Sequence, residues 1–460
     1  MKKIVIVIVC IVLITVLTSC KVDDEADKIP EMKTPVNTED LINPAEPDAD
    51  PPERIMLTLA TLMGQIDLSS AVAHFNRTSS AYYIDVIDYS DFLIGDDWNV
   101  PLDRMILDII NGDTADIYNI YGLPFQEFAV RGLFEDLYLF LDADDELNRN
   151  DIMTNILQVA EIDGKLFNVF PYFSISTIVG NPAVLGSYNG WNIDELKAVL
   201  SANPQADLSI GDRFDKELLL SFILMFNIDE YIDWVSGTTD FNSGDFAGLL
   251  EFINTFPDSY PEHRQRLDEY ELISTGRQIM TETPISSVFE YRYLRALYGG
   301  DIVFKGFPAK NRDGHAIDFL TSVAITTTSS NKQGAWEFVR MVLTEEFQSQ
   351  NNILGRFPTN RVHFEEMLNE SIDLNKPEFD YELVTNDDTV ILMIEPFTQD
   401  QENQFLSMFD IVTRTSQRQD ALLNIIMESA SDFFHGKITA QDAARVIQNR
   451  VSIYVSERAR

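Results

Sequence analysis

From residue 55 onward the apolar residues fall into short blocks of two periods. Residues 55–62 (IMLTLATL) form a strand-type run, 68–75 carry helical spacing, and 83–89 place Ile84, Val86 and Ile87 in a second strand-like segment, which predicts a β-α-β opening. The plainest helix signal follows, with Leu102, Met105, Ile106, Ile109 and Ile110 at i, i+3, i+4, i+7 and i+8. Pro101 stands in its first turn, where a missing N–H costs nothing, and Asn111-Gly112 supplies the stop. A short strand is predicted at 116–120. Asn192 with Glu195, and Thr439 with Asp442, have the spacing of capping boxes ahead of apolar helical stretches. Trp336, spaced helically with Val339 and Leu343, belongs to the core, and the last 60 or so residues read as helical. No repeat, heptad or low-complexity tract interrupts residues 54–460. Helices alternating with short strands predict an α/β architecture with mainly parallel pairing and a ligand crevice at the carboxyl ends of the strands.

The first 52 residues follow different rules. Lys2 and Lys3 precede an apolar stretch over 4–17 of signal-peptide length, short for a membrane span. Leu17-Thr18-Ser19-Cys20 then resembles the lipobox of bacterial lipoproteins, which implies removal of residues 1–19 and lipidation of Cys20. Residues 21–52 are acidic, rich in proline and nearly devoid of apolar side chains, so they cannot offset the entropy of ordering and read as a disordered tether. Fully extended at roughly 3.1 Å per residue, this segment would hold a folded body tens of ångströms from an anchoring membrane. The expected location is extracytoplasmic, on the outer face of the cell membrane.

Composition removes whole classes of function. The 460 residues carry 34 Lys+Arg against 74 Asp+Glu, a net charge of −40, and processing at Cys20 would remove two lysines and no acid to leave −42. Such a chain repels nucleic acid, whose binding requires clustered cations that displace counterions. The two cysteines are Cys10, inside the signal, and Cys20, so disulfides, thiolate metal sites and thiol nucleophiles are excluded from the processed body. Five histidines at 74, 263, 315, 363 and 435 show no metal-ligand spacing, and the acids at 142, 144, 145 and 146 lack the pattern of a calcium loop and read as a solvated segment. Nucleophile-elbow, phosphate-loop and dinucleotide motifs are absent. No cofactor, metal or catalytic residue is assigned.

The 30 Phe, 16 Tyr and 4 Trp carry more information. Tyr118, Tyr121, Tyr172, Phe173, Trp234, Phe289 and Tyr291 fall beside Gly, Pro or Asp at predicted element ends. An aromatic ring flanked by amides, hydroxyls and carboxylates holds a polyol by covering its C–H faces while polar groups match its hydroxyls. Each of these rings is also a candidate for simple core packing.

Taken in order, five segments resemble the family 1 extracellular solute-binding proteins of ABC importers, the family of the maltose-binding proteins. They are Gly112-Asp113-Thr114-Ala115-Asp116-Ile117 with Gly132-Leu133-Phe134-Glu135-Asp136-Leu137; Asp163-Gly164-Lys165-Leu166-Phe167 leading to Phe170-Pro171-Tyr172-Phe173; Thr275-Gly276-Arg277-Gln278-Ile279-Met280; residues 319–348; and Phe357-Pro358-Thr359-Asn360-Arg361. Ala115 stands where the family pattern has proline. The resemblance spans about 54–370.

It implies a two-lobed periplasmic-binding-protein-like fold of type II, each lobe a mixed sheet flanked by helices, with the ligand cleft at the hinge. Lobe 1 would take 53–170 and 318–365, and lobe 2 would take 171–317 and 366–460. The implied function is capture of a small solute, a mono- or oligosaccharide, by a monomeric, non-enzymatic receptor that delivers it to ABC permease subunits. A cationic solute such as a polyamine or peptide, and a surface carbohydrate-active hydrolase, stand as alternatives. Matching loops give the ligand-binding candidates Tyr118, Tyr121, Tyr172, Phe173, Ser286 and Phe289, with Trp234, Thr61 and Met63 beside them; for Tyr172, hinge packing competes with ligand contact.

Overall fold

The computed structural model describes residues 54–62, 68–95, 97–258, 267–352, 355–371, 379–385, 389–416 and 419–458. The signal segment, Cys20, the acidic tether and Met63 lie outside the described residues. Among the described residues no helix is long and apolar enough to cross a membrane.

The chain builds two main sheets. In the first, the Ile55–Thr61 strand lies between Tyr82–Asp88 and Ile117–Asn119, parallel to both, and Val323–Ile325 closes the far edge antiparallel to Ile117–Asn119. The β-α-β opening predicted from the pattern is therefore present, with Ser69–Thr78 as its helix. The Asn99–Asn111 helix buries Leu102, Met105 and Ile109, and Gly112 ends it in the left-handed region at φ 79°, which a glycine reaches without a Cβ penalty. Asp116 ties this half together: its Oδ2 accepts from the Thr58 N–H (2.9 Å), and its Oδ1 accepts from the Ser329 hydroxyl (2.5 Å).

The second sheet is organised by the Tyr172–Gly180 strand. Met280–Ile285, Val303–Phe304, Ala316–Asp318 and Phe357–Pro358 all pair with it antiparallel, and only Arg414–Thr415 adds a parallel contact, to Ala316–Asp318. This corrects the expectation of mainly parallel pairing. Alternation of helices and strands sets the layers, but strands of two or three residues carry no pattern that distinguishes their direction.

Helices cover both sheets. One cluster packs the Lys216–Asn227 and Gly244–Ile253 helices against the C-terminal pair Asp420–Phe434 and Ala440–Arg458, through Leu220, Leu224, Leu250, Leu422, Ile447 and Val451. The capping box at Asn192 forms, with Asn192 and Glu195 bonding reciprocally, whereas at Thr439 only the cap itself is present: its hydroxyl accepts from the Asp442 N–H and donates to the Asp442 carboxylate. Trp336 is in the core, stacked on Phe140 with its Nε1 donating to Asp144 at 2.7 Å. Of the neighbouring acids, Asp142 pairs with Arg149 and Glu146 with Arg340 at the surface.

Two short segments, 167–171 and 319–322, cross side by side between the sheets. Their backbones are bonded to each other, Val169 N–H to Val323 O (3.0 Å) and Val323 N–H to Val169 O (2.8 Å). These two crossings form a narrow neck, and a third passage leads from Val323–Ile325 in the first sheet through the Lys332–Val342 and Glu345–Asn351 helices to Phe357–Pro358 in the second.

Candidate functional site

Beside this neck a cleft of about 530 Å³ opens between the two halves. Its first wall is the loop after the Ile117–Asn119 strand, carrying Tyr121, together with a small hairpin that carries Glu161. That hairpin turns on Asp163 (φ 51°) and Gly164 (φ 73°), the two left-handed residues of a tight two-residue β-turn. The Asp163-Gly164-Lys165 motif thus shapes the wall by its backbone. Gly122 follows Tyr121 at φ 81°, and a Cβ there would sit 3.0 Å from Leu62 Cδ2.

The base of the cleft is fixed by a buried polar network. Asn119 Oδ1 accepts from the Ser322 N–H (3.2 Å), the Asn168 side chain donates to Ser322 Oγ (2.7 Å), and Ser322 Oγ donates to Val169 O (3.1 Å). This joins the Tyr121 loop to both neck segments. Phe319, on the second neck segment, stacks on Phe170 with ring centres 4.6 Å apart and presents to the cleft.

The opposite wall is the turn between Ile232–Asp233 and Thr238–Thr239. Asp233 Oδ1 accepts from the backbone N–H groups of Ser236 and Val235, both at 3.0 Å, and the bonds to Ser236 hold its carboxyl below the usual carboxylate range. Trp234, in this turn, is 8% exposed, and its Nε1 has no acceptor among the described residues. The floor brings in the 413–416 segment: Arg414 donates to Asn227 Oδ1 (2.8 Å) and Asp313 Oδ1 (2.6 Å), and the Ser416 hydroxyl donates to Asp318 Oδ1 (2.7 Å). Glu161 accepts from the Tyr138 hydroxyl at 2.6 Å, and burial followed by this bond pushes the Tyr138 phenol up.

Of the candidates read from the sequence, the cleft brings together Tyr121 and Trp234. Tyr118 is fully buried beside Phe134; its hydroxyl accepts from the Ala115 N–H, and burial raises it to about 12. Tyr172 donates to Gln348 O at 2.9 Å, a packing contact at the neck, and Phe173 is buried against Phe357 and Phe409. Ser286 directs its N–H and hydroxyl to Glu290, at the entry to the Val288–Leu297 helix. Phe289 is on the outside of that helix beside Tyr293 and Tyr381, Tyr291 is buried with its hydroxyl on Gln404, and Thr61 is buried at its strand end.

Asn168, Phe319 and the 413–416 segment were not among those candidates. Asn168 lies between the quoted Phe167 and Phe170, and Phe319 opens the 319–348 segment, so both could have been found from those segments. Nothing in the local pattern marks Arg414 or Ser416, because their strand reaches the floor only through its pairing with Ala316–Asp318.

Neither a family model nor a curated protein matches the sequence. Solved structures do. Over 88% of the chain the structure is similar to the sugar-binding protein MalE from Xanthomonas citri, at 15% identity, covering 98% of that chain with a TM-score of 0.56. It is similar over 88% to a periplasmic oligogalacturonide-binding protein from Yersinia enterocolitica, at 13% identity, covering all of that chain with a TM-score of 0.55. An ABC substrate-binding protein from Listeria monocytogenes, solved with cycloalternan, matches over 88% at 14% identity, again along its whole length, with a TM-score of 0.51. These likenesses establish the two-lobed fold of periplasmic binding proteins, with mixed sheets flanked by helices.

Proposed function

We propose that this chain is the solute-binding receptor of an ABC importer, capturing a mono- or oligosaccharide between its lobes and handing it to permease subunits. The observation that carries the reading is the cleft of about 530 Å³ beside a two-stranded neck, where Tyr121, Trp234 and Phe319 stand among amide, hydroxyl and carboxylate groups. That combination suits a polyol, and the three structural neighbours described above are a sugar-binding, an oligogalacturonide-binding and an ABC substrate-binding protein.

The lobes are taken as 53–170 with 318–365 and 171–317 with 366–460, a division supported by the membership of the two sheets except at Asp318 and at Phe357–Pro358, which pair with the second. Closure would bend the neck and bury the ligand, and a transporter that binds the closed form differentially would read occupancy. Lipidation at Cys20 would anchor the receptor outside the cell membrane, where a monomer on its tether can reach the permease.

The test is a calorimetric and thermal-shift panel of mono- and oligosaccharides with product analysis. A ligand that binds only the native state raises the unfolding midpoint. Saturable binding of a sugar without conversion is the expected result. Absence of any sugar-dependent shift, or release of a hydrolysis product, refutes the reading.

A further inference from the structure

The cleft holds an unbalanced set of charges. Four carboxylates line it from separate segments: Glu161 on the first wall, Asp229 and Asp233 on the opposite wall, and Asp318 on the floor. The one cation among its described lining residues is Arg414, and that guanidinium is already engaged by Asp313 at 2.6 Å and Asn227 at 2.8 Å, with Glu230 at 3.8 Å. Low-dielectric walls focus the field of such groups into the cleft, favouring positive ligands and opposing negative ones. The aromatic faces of Tyr121, Trp234 and Phe319 act in the same direction, since a ring face attracts a cation as well as covering a sugar's C–H groups.

A separate observation selects among positive ligands. The buried Trp234 Nε1 is a donor lacking an acceptor among the described residues, and a buried unpaired N–H is costly. A polyamine, protonated at every nitrogen, offers it none. A sugar hydroxyl or ring oxygen does.

We propose that the ligand is a cationic glycan, an oligosaccharide of amino sugars with free ammonium groups, and that Asp233 and Asp318 set this preference. The proposal rests on the sugar-receptor reading and narrows its substrate class. Ammonium groups are held by carboxylates of both lobes, so the ligand's charge favours closure; a uronate meets four like charges and is excluded.

The experiment uses the purified full-length protein at about pH 6, where the sugar amines are protonated. Isothermal calorimetry compares glucosamine oligomers, the same oligomers N-acetylated, galacturonic acid oligomers and spermidine, at low and high salt. The free-amine oligomer should bind about tenfold or more tighter than its acetylated form, the scale of one charge pair a few ångströms apart in a partly screened site. Added salt should narrow that gap, and galacturonides should not bind. Asp233→Asn and Asp318→Asn keep the oxygens that accept from the 233–236 turn and from Ser416, so the fold is retained, and each should narrow the amine preference, the free-amine oligomer losing more affinity than the acetylated one. Equal or tighter binding of the acetylated or uronic oligomers overturns the cationic assignment and leaves the sugar reading standing. Binding of spermidine with no sugar binding overturns both.

Discussion

Burial of one histidine gives the fold a defined acid sensitivity. His315 directly precedes the Ala316–Asp318 strand beneath the cleft, is 1% exposed, and has Nδ1 3.1 Å from the Thr177 hydroxyl while Nε2 has no partner among the described residues. Burial, and then the charges of Arg414 and Lys305, push its pKa from 6.5 down to about 3. The folded imidazole thus stays neutral while the unfolded one takes up a proton near pH 6.5. Stability from this group is full above about pH 6.5 and is lost as pH falls toward 3, because the unfolded state binds the extra proton. At about 1.4 kcal/mol per unit, the loss between pH 7 and pH 5 comes to about 2 kcal/mol.

His315→Gln keeps a side-chain amide for Thr177 and removes the titration. Urea unfolding of both proteins at pH 7 and pH 5 measures the double difference, and the native protein should lose about 2 kcal/mol more than the variant. Partly desolvated carboxyls with raised pKa values, Asp215, Glu217 and Glu230, act in the opposite direction, gaining stability as pH falls, but they are common to both proteins and cancel. Equal losses in the two proteins would refute a neutral, desolvated His315.

Trp234→Ala should weaken binding of any sugar the protein takes by roughly tenfold in Kd, about 1.4 kcal/mol for a lost aromatic face, as read by calorimetry; an unchanged Kd would remove Trp234 from the site. Gln348→Ala should cost about 3 kcal/mol in denaturant unfolding, because this fully buried amide donates to Val342 O and Thr359 Oγ1 and accepts from the Asn360 N–H, leaving those partners bare; a loss below about 1 kcal/mol would contradict that count. Gly314→Ala places a Cβ 1.7 Å from the Phe307 carbonyl oxygen, backbone that cannot step aside, so little folded protein should accumulate, and a variant with native circular dichroism and an unchanged unfolding midpoint would refute the close approach.

Local physics made much of the fold readable in advance. The helical stripe from Leu102 to Ile109, its glycine stop, the capping box at Asn192 and the N-cap at Thr439 depend on neighbours within four residues, and they appear where the pattern put them. The Asp116 and Asp163-Gly164 segments were legible as pieces of the family resemblance, while the carboxylate latch and the left-handed turn they form came from the structure. The site was less so. Tyr118 and Tyr121 are three residues apart and alike in chemistry, yet one closes a core and the other faces the cleft. Alternation along a strand marks two faces without saying which of them a second lobe will meet.

By itself the sequence determined the α/β layering, the absence of cysteine chemistry from the body, and a surplus of acid that repels polyanions. Tertiary structure decided where that surplus acts. Asp318 meets Ser416, 98 residues further on, and Arg414 reaches Asp313 and Asn227, at separations of 101 and 187. A cleft wall made from segments so far apart leaves no local periodicity, since its residues become neighbours only when two sheets and their neck have folded.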